Sequence, residues 1–153
     1  MGNTLLIRRY AGKDFISLVP LLKQLWPNKK IDIKAVRELL LRQNKKRKSH
    51  LILVAEQNQE ISGLVTLSWR LNIYSEGYLA CIDELVVDEK CRKKGIGGKM
   101  IEEVFRFCEK QNIKGVYLTS AFHREDAHVF YNRKGLEKIS YKFEKHFGRK
   151  RNS

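Results

Sequence analysis

Three strand-like stretches follow one another through the middle of the chain with no helix between them, and this narrows the possible folds most. Residues 51–57 form an apolar run, residues 61–70 return after a tight turn at Asn58-Gln59-Glu60, and residues 77–87 form the third run. Connections this short join antiparallel neighbours, so the three runs predict a meander. A doubly wound dinucleotide-type sheet needs successive strand–helix units from the start, and the meander argues against it.

Helical periodicity lies on both sides of the meander. A strand at residues 5–10 precedes a helix capped by Asp14, with Phe15, Leu18, Val19, Leu22 and Leu25 apolar. Pro20 falls inside that pattern, so the helix starts there or bends there. Asp32 caps a second helix carrying Val36, Leu39, Leu40 and Leu41. After the meander, a helix at about residues 97–111 sets Met100, Ile101, Val104, Phe105 and Cys108 on one face. A turn at Gly115, a strand at 116–120 and a short helix at 125–134 ended by Gly135 follow. Strand-like segments fill 136–147. The reading is one α/β domain over 1–147 with a mixed sheet, then a basic tail at 148–153.

Charge narrows the partners. The 153 residues hold 31 Lys plus Arg against 17 Asp plus Glu, a formal net charge of +14, which favours anionic partners. The basic run at residues 44–49 has no interleaved aromatics, so it makes a poor nucleic-acid surface and nucleic acid is disfavoured as a partner. No run of 18 apolar residues exists, so no membrane span is expected. Cys81, Cys91 and Cys108 show neither a disulfide framework nor zinc spacing, which points to a reducing cytoplasm and no metal site.

The chemistry concentrates after the third strand. Leu85, Val86 and Val87 end that strand, and Arg92-Lys93-Lys94-Gly95-Ile96-Gly97-Gly98-Lys99 opens the following helix. Glycines here allow close backbone approach, and N–H groups at a helix start converge on an anion. The segment lacks the Gly-Lys-Ser/Thr ending of an ATP-type phosphate loop. It also has Met100 where a dinucleotide fingerprint needs its third glycine.

The stretch from Asp83 to Asp88 with Arg92 to Gly97 resembles the first signature of the GCN5-related N-acetyltransferases (GNAT), and 127–136 resembles the second. The two occur in order, with the expected strand between them. The resemblance implies a GNAT-like acyl-CoA N-acyltransferase fold in which the strand ending at Val87 splays from the strand at 116–120. It implies that main-chain groups of Leu85, Val86 and Val87 pair with the pantetheine arm of acetyl-CoA. It implies that N–H groups of Arg92, Lys93, Lys94, Gly95, Ile96, Gly97, Gly98 and Lys99 hold the pyrophosphate. A homodimer is a further expectation from the family.

The implied reaction is direct attack by an amine of a small molecule or peptide on the thioester in a ternary complex. Tyr131 matches the family's tyrosine beside the sulfur, as a proton donor to the departing thiolate, with a packed core tyrosine as the other reading. The Val86 N–H is expected to stabilise the carbonyl oxygen. Cys81 stands where several relatives carry a glutamate base. The base is then Glu84, which is favoured, or Asp83, or a water chain, another residue or none. His123 and His128, five residues apart, make a poor helical metal pair, His128 reads as scaffold, and no cysteine nucleophile is required. Two further readings stay open: a non-catalytic acyl-CoA-binding protein, and a basic nucleic-acid module.

Overall fold

A computed structural model describes residues 4–148, and these divide into two compact units, one ending at Leu118 and the other starting at Thr119. The first unit is built on a five-stranded sheet in the order β1 (Leu5–Arg9), β2 (His50–Gln57), β3 (Glu60–Asn72), β4 (Gly77–Val87), β5 (Gly115–Tyr117). The first four strands are antiparallel, and β5 runs parallel to β4. Asn58 and Gln59 both take positive φ (52° and 64°), which suits the tight turn joining β2 to β3.

Strand β2 explains its own continuous apolar run, because it is covered on both faces. Leu51, Leu53 and Ala55 meet α3 (Ile96–Lys110) through Ile96, Met100, Val104 and Cys108. Ile52 and Val54 meet α1 (Phe15–Leu25) and α2 (Ile33–Lys45) through Phe15, Leu18, Leu21, Leu22 and Leu40. On the α3 side, a Cβ at Gly63 would lie 2.7 Å from the Met100 sulfur and 3.3 Å from the Val86 carbonyl oxygen. The helix therefore sits tightly on the sheet at that point.

Several expectations change. Helix α1 does not start at Pro20: it runs from Phe15 to Leu25 with Pro20 inside it, on the exposed face. Asp14 does not cap α1 through its side chain. That buried carboxylate accepts the Ala11 N–H at 2.8 Å and two Arg8 guanidinium bonds at 2.8 and 2.9 Å. Asp32 caps α2 as expected, accepting the Ala35 N–H at 3.0 Å. Gly115 lies inside β5 rather than at a turn, and the left-handed residue before that strand is Asn112, φ 55°. Strand β5 covers three residues rather than 116–120.

In the second unit, α4 (Glu125–Arg133) ends in a left-handed Gly135, φ 83°. Gly135 N–H donates to Asn132 O and Leu136 N–H to Tyr131 O, each at 3.0 Å, the pairing of a Schellman stop. No strand forms among the described residues of 136–147, against expectation. Residues 149–153 of the basic tail lie outside the described residues.

Candidate active site

Strand β4 carries one more residue than β3 opposite Thr66 and Leu67: Thr66 pairs with Glu84, Leu67 with Ile82, and Asp83 is the extra residue of a bulge. The bulge changes which side chains share a face. Ala80 and Ile82 point into the α3 core, and beyond the bulge Leu85 and Val87 do so, while Val86 joins the α1–α2 core. Simple alternation would have grouped Glu84 with Ala80 and Ile82. The extra residue turns Glu84 to the α1–α2 face, the face that Cys81 also occupies.

Glu84 is held there by Thr66. The buried Thr66 hydroxyl accepts the Glu84 N–H at 3.0 Å and donates to the Glu84 carboxylate. Burial pushes the carboxyl above the ordinary range, the Thr66 hydrogen bond pulls against this, Asp83 raises it further and Lys29 lowers it. Asp83 itself is exposed. Cys81 is pushed up to about 11, chiefly by burial and then by Asp83, so its thiol stays protonated at neutral pH. Tyr117, in register with Cys81, hydrogen-bonds that thiol and is also raised, mainly by burial.

Pairing between β4 and β5 ends at Cys81 and Tyr117, so from Ile82 to Val87 the far edge of β4 has no strand partner among the described residues. This is the splay implied by the resemblance. Glu84 N–H points at β3, and Asp88 N–H donates to Ser62 O in β3 at 2.8 Å. Antiparallel alternation then sends the Val86 N–H to β3 as well, and the N–H groups of Leu85 and Val87 to the open edge. The Val86 N–H, expected from the resemblance as the carbonyl-oxygen donor, is thus turned towards β3 rather than to the open edge. The Val87 carbonyl also faces outward and accepts Arg92 Nε at 3.1 Å.

The glycine-rich turn follows directly. Asp88 accepts the Lys90 N–H at 2.9 Å, and Gln24 of α1 accepts the Glu89 N–H at 3.0 Å, which ties this loop to the scaffold. Lys93 and Gly95 take positive φ (63° and 81°), and Gly95 is the N-cap of α3. Lys99 N–H already donates to Gly95 O at 3.1 Å, so the backbone role expected for Lys99 is closed and only its ammonium remains available. Ile96, Gly97 and Gly98 are left as first-turn donors without an acceptor inside the helix. Arg92, Lys93, Lys94 and Lys99 are exposed around them, while the Ile96 side chain is buried in the core. A helix start with aligned donors and four cations fits a pyrophosphate.

A shallow cleft of about 430 Å³ opens at the end of α1 and the start of α2, lined by Lys23, Trp26, Lys29, Lys30 and Ile31 among others. The Lys29 ammonium stands 5.1 Å from the Trp26 ring centre. The sequence offered no signal for this cleft, because its lysines look like ordinary surface charge.

The second unit holds Tyr131, half-buried on α4 with its ring 5.5 Å from Phe130. Burial raises its phenol above the usual range, with Arg124 opposing. His128 Nε2 lies 3.0 Å from Ala121 O, so it ties α4 to the preceding loop, as a scaffold residue does. Among the described residues no helix is long and apolar enough to cross a membrane.

A model of the Acetyltransferase (GNAT) family matches residues 17–136. An uncharacterized N-acetyltransferase of Bacillus subtilis, YhdJ, is 31% identical over 100 residues, covering 65% of this chain and 70% of that protein. Aminoalkylphosphonate N-acetyltransferase of Salmonella typhimurium is 26% identical over 92 residues, covering 60% of each. The crystal structure of an aminoglycoside acetyltransferase from an uncultured soil metagenomic sample superposes with a TM-score of 0.76 at 26% identity, covering 94% of this chain and 96% of that one.

Proposed function

Because the chain belongs to the GNAT acetyltransferase family and is an N-acetyltransferase that draws its acetyl group from acetyl-CoA, we propose that Glu84 is the general base that readies the acceptor amine. The observation that carries this is the bulge at Asp83, which turns a partly buried carboxylate to the α1–α2 face beside the unpaired edge of β4. A carboxylate raised by burial is a stronger base than an ordinary one, and Thr66 fixes its orientation. Asp83 and Glu84 together draw the protonated amine before Glu84 takes its proton.

Bound acetyl-CoA supplies the thioester acyl group. The N–H groups of Leu85 and Val87 lie on the open β4 edge, ready to pair with the pantetheine amides or to hold the thioester oxygen. Main-chain groups of Ile96, Gly97 and Gly98, with Arg92, Lys93, Lys94 and Lys99 around them, hold the pyrophosphate. Tyr131 donates its phenolic proton to the departing thiolate; its match to the second family signature and its raised pKa, which keeps the proton on the oxygen, support this role. Cys81 takes no covalent part, since its thiol stays protonated.

The acceptor is a small molecule that carries an acid group as well as its amine. Glu84 and Asp83 suit the amine, and the cleft bearing Lys23, Lys29 and Lys30 suits a phosphonate, phosphate or carboxylate. The relative from Salmonella typhimurium is named for aminoalkylphosphonates, which combine these two groups. The test is thiol release from acetyl-CoA with aminoalkylphosphonates, amino acids, aminoglycosides and simple alkylamines. Faster turnover of the acid-bearing amines is expected; equal rates for the matched amine lacking the acid group refute the acceptor class. Replacing Glu84 with Gln should lower kcat roughly 100-fold or more, with the KM for acetyl-CoA held. An undiminished rate in that variant removes Glu84 as base.

A further inference from the structure

The hairpin of β3 and β4 runs out beyond the strands on either side of it. Register with β2 ends at Ser68 and register with β5 at Leu79, yet β3 and β4 stay paired as far as Asn72 and Gly77. The result is a two-stranded finger about 30 Å along the sheet from the Gly63–Val87 pair beside the glycine-rich turn. Asn72 Oδ1 accepts the Ser75 N–H at 2.8 Å in the turn that closes the finger, and Glu76 takes φ 53°. Turns favour Gly, Pro, Asn, Asp and Ser, but this tip is apolar. Leu71, Ile73 and Tyr74 are 71%, 97% and 98% exposed. Cations stand behind them. Arg70 is exposed on the finger, and the Lys114 side chain lies along its base, with Cγ 3.0 Å from where a Cβ at Gly77 would be. Lys45, Lys46, Arg47 and Lys48 are exposed where α2 leads into β2, and Trp69 N–H donates to Ser49 O at 2.9 Å, which holds that loop level with Trp69. From Arg42 to Ala55 the chain has no acid, and in residues 71–78 Glu76 is the one acid. The last turn of α3 adds a charge of each sign, Glu109 and Lys110.

We propose that this end of the molecule docks on an anionic lipid bilayer, with Ile73 and Tyr74 entering the interface and the cations resting on the headgroups. Shape and charge together select this occupant. A specific protein interface takes about 800 Å² from each partner, and three side chains on a two-stranded finger offer roughly half of that. A bilayer needs no matching surface. Apolar side chains sink about 5–10 Å into the boundary between headgroups and acyl chains, a level that also suits tyrosine. From Trp69 to Ile73 the strand advances about 13 Å. With the finger along the bilayer normal and Ile73 at that depth, the loop from Lys45 to Lys48 lies within a Debye length, about 10 Å, of the anionic surface that attracts it. The contact is peripheral, since no helix among the described residues is long and apolar enough to cross a membrane. It leaves the glycine-rich turn, at the other end of the sheet, open to acetyl-CoA.

Sedimentation of the full chain with sucrose-loaded vesicles tests this. Mixed vesicles of phosphatidylglycerol and phosphatidylcholine should carry the protein down at low salt, and vesicles of phosphatidylcholine alone should bind it at least about 10-fold less. Ile73→Ser with Tyr74→Ser should weaken binding to the mixed vesicles at least about 10-fold. Arg47→Gln with Lys48→Gln should weaken it as well and flatten its salt dependence. Both double variants should keep the wild-type far-UV circular dichroism spectrum and the vesicle-free rate of thiol release from acetyl-CoA. Absence of binding to the mixed vesicles overturns the proposal. So does vesicle binding that Ile73→Ser with Tyr74→Ser leaves unchanged, which reduces the effect to the charge of a basic chain. An oligonucleotide that binds through Arg47 and Lys48 while the mixed vesicles do not assigns those cations to nucleic acid, and a dimer dissolved by the tip variant without vesicle binding assigns the tip to a second copy; each overturns it.

Discussion

Replacing Gly63 with Ala tests how tightly α3 is seated on the sheet below the glycine-rich turn. The added Cβ would lie 2.7 Å from Met100 Sδ, 3.2 Å from Ala55 Cβ and 3.3 Å from Val86 O. The last two belong to neighbouring strands and cannot give way without moving the sheet. Only Met100 can move, and it is fully buried. Overpacking of this kind costs about 1–3 kcal/mol. The lost backbone freedom of the unfolded chain returns about 0.4–1 kcal/mol. The expected net loss is about 1–2 kcal/mol, or a fall in Tm of about 2–8 °C at this length. Urea unfolding reads it as a lower midpoint at unchanged m-value.

The decisive comparison is the double variant. Met100→Ala alone should cost about 2–5 kcal/mol through the cavity it leaves. With Met100 shortened, the closest of the three contacts is gone and only those to Ala55 Cβ and Val86 O remain, so the cost of Gly63→Ala should fall. The coupling should be favourable by at least about 1 kcal/mol. Gly12→Ala, where nothing stands within 4 Å, should stay within about 0.5 kcal/mol of wild type. An equal cost for Gly63→Ala with and without the Met100 side chain refutes the packing argument.

The site and its scaffold carry four shorter predictions. Gly95→Ala places a Cβ at φ 81°, so stability should fall by about 1 kcal/mol and the KM for acetyl-CoA should rise, as read by initial rates. The acid limb of kcat/KM should lie above the ordinary carboxylate range, because burial raises Glu84 and the base must be ionised; Glu84→Gln should remove that limb. Asp14 is depressed by Arg8, so its stabilisation is present above the unfolded carboxyl pKa and lost as pH falls through the lower folded value; Asp14→Asn should cost about 2–3 kcal/mol at pH 7 and flatten the acid unfolding profile. Cys81→Ala should leave turnover largely intact, and no acetylated enzyme should appear by intact-mass measurement.

The order of elements, the meander and the glycine-rich helix start were legible in the sequence, because each depends on local periodicity and on residues with restricted or permissive backbones. The apolar runs of β2, β3 and β4, the Asp32 cap and the Gly135 stop all follow from neighbours a few residues away. The pair of signature segments was enough to imply the family. Pro20 left the start of α1 open because a sequence does not say which helix face meets water. Asp14 misled because its partner, Arg8, reaches it across a turn and competes with the cap.

The face on which Glu84 stands was beyond sequence. Period-two alternation is a local rule, and one extra residue at Asp83 reverses it, yet a bulge exists only when two strands are laid side by side. The same holds for the direction of the Val86 N–H and for the point where β5 leaves β4, since both are properties of the pairing. The strand pattern of residues 136–147 is the opposite case. Its alternation is plain in the sequence, but hydrogen-bonded strand structure needs a neighbour, and the described residues provide none. Sequence therefore determined which residues could do chemistry, through local chemistry and spacing. Tertiary structure decided which of them meet, because contact between distant residues depends on register.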